Sequence, residues 1–173
     1  MSDPAYIGLG GNVGDVAATF ARAAAEIAAL TGVAEVRLSS LYVSAPQGPV
    51  RDQPQFLNAV AEVRFTSWRH GPPVGRFLRA LLEIERRLGR DRAHERPMGP
   101  RPIDLDLLVW GDRSVFEPGL VVPHPRLRER AFALAPLVEL APDLEVPGAG
   151  PAAALLAGLP DQGVRKLIRS GTV

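Results

Sequence analysis

Hydrophobic and polar positions change their period several times along the chain, and each change marks an element. Ala5 to Gly10 is a short apolar run ending in glycines, the pattern of a buried strand. Val16, Phe20, Ala23, Ile27 and Leu30 recur at helical spacing. With Asp15 placed to cap and Gly32 to terminate, they predict a helix over 16–31. Val33 to Val43 is β-rich, and residues 45–54, with three prolines and a glycine, read as a loop. Leu57, Ala59, Ala61, Val63 and Phe65 alternate along a strand that runs to Thr66. A connection over 68–72 leads to a helix from Pro73 to Leu88, with an apolar stripe of Val74, Phe77, Leu78, Leu81, Leu82 and Leu88 and Gly89 at its end. Residues 90–102 have no hydrophobic period. Ile103–Trp110 then reads as a strand, with Ile103, Leu105, Leu107 and Val109 on one buried face. Gly111 and Asp112 suit a turn, and Leu120–Val122 a short strand. Residues 126–140 are helical in composition, and Pro136 is expected to divide them in two. The remainder is rich in Gly and Pro, with one short helix expected over Ala152–Ala157.

The first 110 residues therefore order as β-α-β-β-α-β. This predicts an α+β fold of the ferredoxin-like kind, an antiparallel sheet with helices on one face, followed by additional strands and short helices. The length of 173 residues suits one domain, with a core over about 4–146 and a C-terminal extension over 147–173.

Composition narrows the class. Hydrophobic residues make up 46% and charged residues 23%, as in ordinary soluble domains. The absence of Cys excludes disulfides, thiolate metal sites and cysteine nucleophiles. No apolar run reaches the length of a membrane span, and the N-terminus lacks a secretory pattern, so a cytoplasmic location is expected. A net charge of +1 argues against a nucleic-acid binder. Lys166 is the only lysine beside 19 arginines, so any phosphate must be held by guanidinium forks.

Candidate chemistry concentrates in Glu85 to Trp110. Asp104 and Asp106, two apart on a strand, share a face with Cα atoms about 6.5–7 Å apart. Such a pair repels unless a cation or arginines stand beside it, and Mg²⁺ typically takes one or two carboxylates plus substrate phosphates. A solvated polar strand face is the competing reading of two aspartates alone. Arg90, Arg92 and Arg101 lie in the loop that runs directly into that strand, and a metal on one side with guanidinium forks on the other is what a polyphosphate needs. GLGGNVG at 8–14 fails the G-x-G-x-x-G spacing at Val13, and no G-K-[ST] occurs. These glycines therefore serve a tight turn, close ligand approach, or both. His70 and His94 have no partner pattern and are expected to be solvated.

The run GRDRAHERPMGPRPIDLDLLVWG resembles the signature of the 6-hydroxymethyl-7,8-dihydropterin pyrophosphokinases, enzymes of folate synthesis. YIGLGGNVGD, SAPQGPVRDQPQFLNAV and VVPHPRLRERAFALAPLVELAPDL are also similar to that family, and the four segments span Tyr6 to Leu144 in the family's order. The resemblance implies a ferredoxin-like fold and transfer of the β,γ-pyrophosphoryl group of ATP to the pterin hydroxymethyl group, with release of AMP. It implies that Asp104 and Asp106 hold two Mg²⁺ ions and that Arg90 and Arg101 clamp the transferred group. It implies that Glu85, Arg92, Leu107, His124 and Arg130 contact ATP. The pterin would lie between Phe56 and Phe132, held by Asn58, Ser44, Ala45 and Gly10. ATP and the pterin are the implied partners, with no nucleic acid and no membrane, and a monomer is left open. The chain departs from the family pattern at Met98, where an aromatic residue is common and the loop is one residue longer. It departs also at Pro102, Pro125, Gln47 and Phe56, the last often a tyrosine. A non-catalytic binding homologue and a ferredoxin-like RNA-binding module are the alternatives. Retention of both aspartates and both arginines weighs against the first, and the low aromatic content of 6% against the second.

Overall fold

The computed structural model describes residues 3–66 and 71–167. His70 and most of the connection expected at 68–72 lie outside the described residues. The elements are β1 (Ala5–Gly11), α1 (Val16–Ala28), β2 (Val33–Leu38), β3 (Tyr42–Ser44), β4 (Phe56–Phe65), α2 (Val74–Arg87) and β5 (Asp104–Trp110). A hairpin of β6 (Val115–Glu117) and β7 (Leu120–Val122) follows. Then come a 3₁₀ turn at Leu127–Glu129, α3 (Ala131–Leu140), β8 (Glu145–Val146), β9 (Gly150–Pro151), α4 (Ala152–Ala157) and β10 (Arg165–Lys166).

Among the described residues the main sheet has six strands, in the order β10-β3-β4-β1-β5, with β2 also pairing with β4. All its pairings are antiparallel. β4, ten residues long, shares one edge between β3 at its start and β2 at its end. β1 and β2 flank β4 with α1 between them in sequence, the split β-α-β arrangement that the order of elements predicts.

Period-2 alternation sends Ala5, Ile7 and Leu9 of β1 and Ala59, Ala61, Val63 and Phe65 of β4 to one face. There they meet Phe20, Ala23 and Ile27 of α1 and Phe77, Leu81 and Ile84 of α2. Trp110 anchors that core, stacked on Phe65 with ring centroids 4.9 Å apart and edge-on to Phe77 at 5.3 Å. The expectation of helices on one face only is incomplete. Leu134 and Leu137 of α3, with Ala152 of α4, cover Tyr6, Val60, Leu108 and Val109 on the opposite face, forming a second core.

Several boundaries differ from the sequence reading for identifiable reasons. The β-rich run 33–43 is two strands, because the Ser39 hydroxyl and amide both bond to Val60 and turn the chain before Tyr42. Asp15 does cap α1, its carboxylate accepting from the Ala18 N–H, but the helix stops at Ala28 in tighter turns, and Gly32 serves the turn into β2 with φ +86°. Ile84 and Glu85 complete the buried stripe of α2, whereas Leu82 is exposed. Pro136 lies inside α3 and does not divide it. The break falls at Arg130, whose extended backbone separates the 3₁₀ turn from the helix. A β-bulge between Leu107 and Val109 adds Leu108 opposite β1, so Val109 faces the second core with Tyr6 and not the face of Leu105 and Leu107.

Candidate active site

α3 and α4 cover only part of the second sheet face. The rest forms the floor of a cleft of about 360 Å³, lined by Gly8 and Gly10 of β1, Ser44 of β3, Phe56 and Asn58 of β4, and Asp104 and Asp106 of β5. The register explains this grouping, since Gly10 pairs with Asn58 on one side and Asp104 on the other, and Gly8 pairs with Asp106. A Cβ at Gly10 would meet Asn58 Oδ1 at 3.7 Å and Asp104 Cβ at 3.9 Å, so glycine there keeps the floor low. Gly11 needs glycine for packing: a Cβ would lie 2.6 Å from the Pro102 carbonyl oxygen. Gly14, at φ +73°, serves the turn into α1.

The walls come from irregular segments. Arg90, Arg92, Met98 and Arg101 stand on one side with Ala45 and Gln47; His124, Arg126, Glu129, Arg130, Phe132 and Gln162 stand on the other. The two loops of the first wall are joined: Gln53 Nε2 donates to the Met98 carbonyl at 2.9 Å, and Asn12 Nδ2 donates to Gln53 Oε1 at 3.0 Å. Asn12 Oδ1 also accepts from the Arg101 N–H at 3.0 Å. Met98 packs on Gly48, whose φ of +91° favours glycine.

The cleft's charges are arranged in sequence. Glu85, almost fully buried beneath the floor, accepts from the Leu105 N–H at 2.7 Å, from Arg90 Nη1 at 3.1 Å and from Arg92 Nε at 2.9 Å. Burial pushes its carboxyl up despite these donors. Arg90, itself buried, also donates to Glu95 at 3.0 Å and to Asp104 at 2.5 Å. Arg101 Nε lies 3.2 Å from Asp104 Oδ2 and, though buried, makes no hydrogen bond. Burial pushes the Asp104 carboxyl up, but Arg90, Arg101 and Arg92 outweigh it and hold it below the usual range. Asp106 has Arg130 at 3.7 Å, and burial followed by the charge of Asp104 pushes it up to about 6. Two carboxylates on one strand face, the second short of positive charge, suit a hard cation that brings its other ligands as water and phosphate oxygens. Among the described residues no cluster of three or more His, Cys, Asp or Glu could hold a metal alone.

Phe56, Phe132 and Asn58 also line the cleft. Arg101 lies over the Phe56 ring at 4.9 Å and Arg130 over the Phe132 ring at 5.6 Å. Asn58 faces away from the Leu57–Phe65 row, as its position in the alternation predicts, and its Nδ2 donates to Ser44 Oγ at 2.8 Å. His124 Nδ1 accepts from the Arg126 N–H at 3.1 Å, which leaves Nε2 to carry the ring proton. Burial and Arg130 pull its pKa down to about 4. Two expected nucleotide contacts do not reach the cleft through their side chains: Glu85 lies under the floor, and Leu107 points into the first core because the β5 alternation puts it opposite the aspartates. His94 is exposed, as expected, and bonds Asp91 at 2.7 Å. Glu95 and Gln162 carried no motif that marks them in the sequence.

The family model of 7,8-dihydro-6-hydroxymethylpterin-pyrophosphokinase matches residues 6–142. The chain belongs to this family. Membership makes it a pyrophosphokinase, a transferase acting on a hydroxymethyldihydropterin in folate synthesis. The 2-amino-4-hydroxy-6-hydroxymethyldihydropteridine pyrophosphokinase of Methylorubrum extorquens is 44% identical over 144 residues, 83% of this chain and 86% of that one. The pyrophosphokinase of the same name from Pseudomonas aeruginosa is 37% identical over 167 residues, 96% of this chain and 98% of that one. The mitochondrial folate synthesis bifunctional protein of Arabidopsis thaliana is 42% identical over 134 residues, 78% of this chain and 23% of that one. The wild-type HPPK-DHPS of Plasmodium falciparum superposes with a TM-score of 0.64 at 13% identity, covering 91% of this chain and 44% of that one, and shares the ferredoxin-like pyrophosphokinase fold.

Proposed function

We propose that this pyrophosphokinase transfers the β,γ-pyrophosphoryl group of ATP to the hydroxymethyl oxygen of 6-hydroxymethyl-7,8-dihydropterin with Mg²⁺ bound at Asp104 and Asp106. The observation that carries the reading is one cleft in which these two aspartates and Arg90, Arg92, Arg101 and Arg130 face the same space as Phe56, Phe132 and Asn58. A flat heterocycle suits the two aromatic side chains, and Asn58 offers an amide to its polar edge. The arginines suit the triphosphate.

In the reaction the pterin hydroxyl oxygen bonds to the β-phosphorus, the bond from that phosphorus to the α,β-bridging oxygen breaks, AMP leaves, and the hydroxyl proton is released. Bound magnesium, two ions by the family resemblance, would neutralise phosphate charge as it redistributes. Arg90 is held by Glu85, Glu95 and Asp104, so its charge is oriented before substrate arrives. Arg101 stands beside Asp104, its Nε 3.2 Å from Oδ2, and lines the cleft with a guanidinium suited to the transferred group. Arg92, Arg130 and His124 Nε2 would hold the remaining phosphates, while Glu85 would act on ATP through Arg92. Leu107 would contribute backbone. The enzyme would work on soluble substrates in the cytoplasm; among the described residues no helix is long and apolar enough to cross a membrane.

Incubation with Mg-ATP and the reduced pterin is expected to yield AMP and the pterin diphosphate. Formation of ADP indicates a simple kinase, and absence of turnover a binding protein. His124 gives a second prediction. With its pKa pulled down to about 4, the ring is neutral through pH 5.5–8, and protonation sets in only below that range. The KM for ATP in His124→Gln is therefore expected to be raised by a constant factor across that range. An inflection near pH 6.5 that is present in the parent and lost in the variant would contradict this assignment.

A further inference from the structure

The family match ends at residue 142, yet the cleft wall includes Gln162. Its side-chain amide makes two hydrogen bonds that bracket a single residue. Oε1 accepts from the Ala131 N–H at 3.0 Å, and Nε2 donates to the Glu129 carbonyl at 2.9 Å. The bracketed residue is Arg130, where the 3₁₀ turn becomes α3 and the backbone is extended, at φ −117° and ψ 95°. No side chain of the helix's own first turn caps it. We propose that Gln162 is a positioning residue for the pyrophosphoryl transfer, locking the backbone on both sides of Arg130 and so aiming Arg130 and Phe132 into the cleft.

The segment that carries Gln162 is itself anchored on the sheet edge at β3. Arg165 and Lys166 of β10 pair with Val43 and Tyr42 of β3, and the Leu167 N–H donates to the Leu41 carbonyl at 2.8 Å. Lys166 reaches Glu139 at 3.2 Å, on α3. β3 also carries Ser44, which holds Asn58. The chain beyond the family match thus runs from the Ser44–Asn58 side of the cleft to the Arg130–Phe132 side and fixes one against the other. Rotation at Arg130 would carry its guanidinium away from Asp106, now at 3.7 Å, and from the Phe132 ring. A residue that prevents this rotation preserves a binding geometry, and its loss appears as weaker substrate binding.

This inference rests on the proposed reaction, and the test separates the two. In the full-length chain, Gln162→Leu keeps most of the volume and removes both hydrogen bonds, while Gln162→Glu keeps an acceptor for the Ala131 N–H. Gln162→Leu is expected to raise the KM for ATP and for the pterin about tenfold, with kcat within about threefold of the parent and Gln162→Glu in between. KM values within about twofold of the parent in Gln162→Leu, whatever its melting temperature, overturn the proposal while parent turnover leaves the reaction standing. If the parent itself makes no AMP, amide exchange decides: slow exchange at Ala131 that Gln162→Leu accelerates supports the clamp, and fast exchange in the parent overturns it.

Discussion

Replacing either cleft aspartate by alanine is expected to lower kcat/KM by at least about 1,000-fold, near 4 kcal/mol of transition-state stabilisation, while the chain stays folded. The two variants should differ in stability. Asp104 is gripped by Arg90 and Arg101, with Arg92 at 3.7 Å, so its removal leaves three guanidinium groups facing one another. Asp106 has one cation at 3.7 Å and sits against its acidic neighbour. Asp106→Ala should therefore melt at or above the parent temperature without ligands, and Asp104→Ala below it. Steady-state kinetics and thermal unfolding on the same preparations check both. Turnover within about threefold of the parent in either variant, little more than about half a kcal/mol, would remove that aspartate from the mechanism.

Glu85→Ala is expected to cost about 3–5 kcal/mol of folding stability, read as a lower urea midpoint. Glu85 is 1% exposed and ties α2 to β5 through the Leu105 N–H while holding Arg90 and Arg92. Deletion leaves a buried N–H without its acceptor and loosens a buried guanidinium. Glu85→Gln keeps an acceptor oxygen and should lose less, although its amide brings a donor among donors. The Ala variant should also bind ATP more weakly, because Arg92 loses its brace. A loss below about 1 kcal/mol would mean that Arg90, through Glu95 and Asp104, suffices to hold this corner.

Much of the fold and the cleft was legible in the sequence because strands keep a period of two. Asn58 opposite the Leu57–Phe65 row, and Asp104 and Asp106 opposite Leu105 and Leu107, follow from alternation alone. What could not be read depended on partners distant in the chain. The bulge at Leu108 is set by β1, the split of β2 from β3 by Ser39 meeting Val60, and the second helical layer by apolar residues that α3 must cover. Pro136 looked like the breaker of its segment. Arg130, unremarkable in composition, is the actual break, because the backbone there is held by a glutamine from the far end of the chain. Glu85 was expected at the nucleotide on resemblance, and its burial stripe on α2 places it one layer deeper.

The extra residue in β5 lets one strand run in two phases. Before it, odd-numbered side chains enter the first core and the acidic pair looks out; after it, the even-numbered Trp110 enters that same core beside Phe65 and Phe77. Straightening the bulge at unchanged length would slip one half of the strand by a residue and turn either its aromatic anchor or its acids to the wrong side, whereas loss of Leu108 would leave plain alternation with both in place. A one-residue deletion at the bulge is therefore the length change this strand can absorb, and other insertions or deletions should fall in the neighbouring hairpin instead.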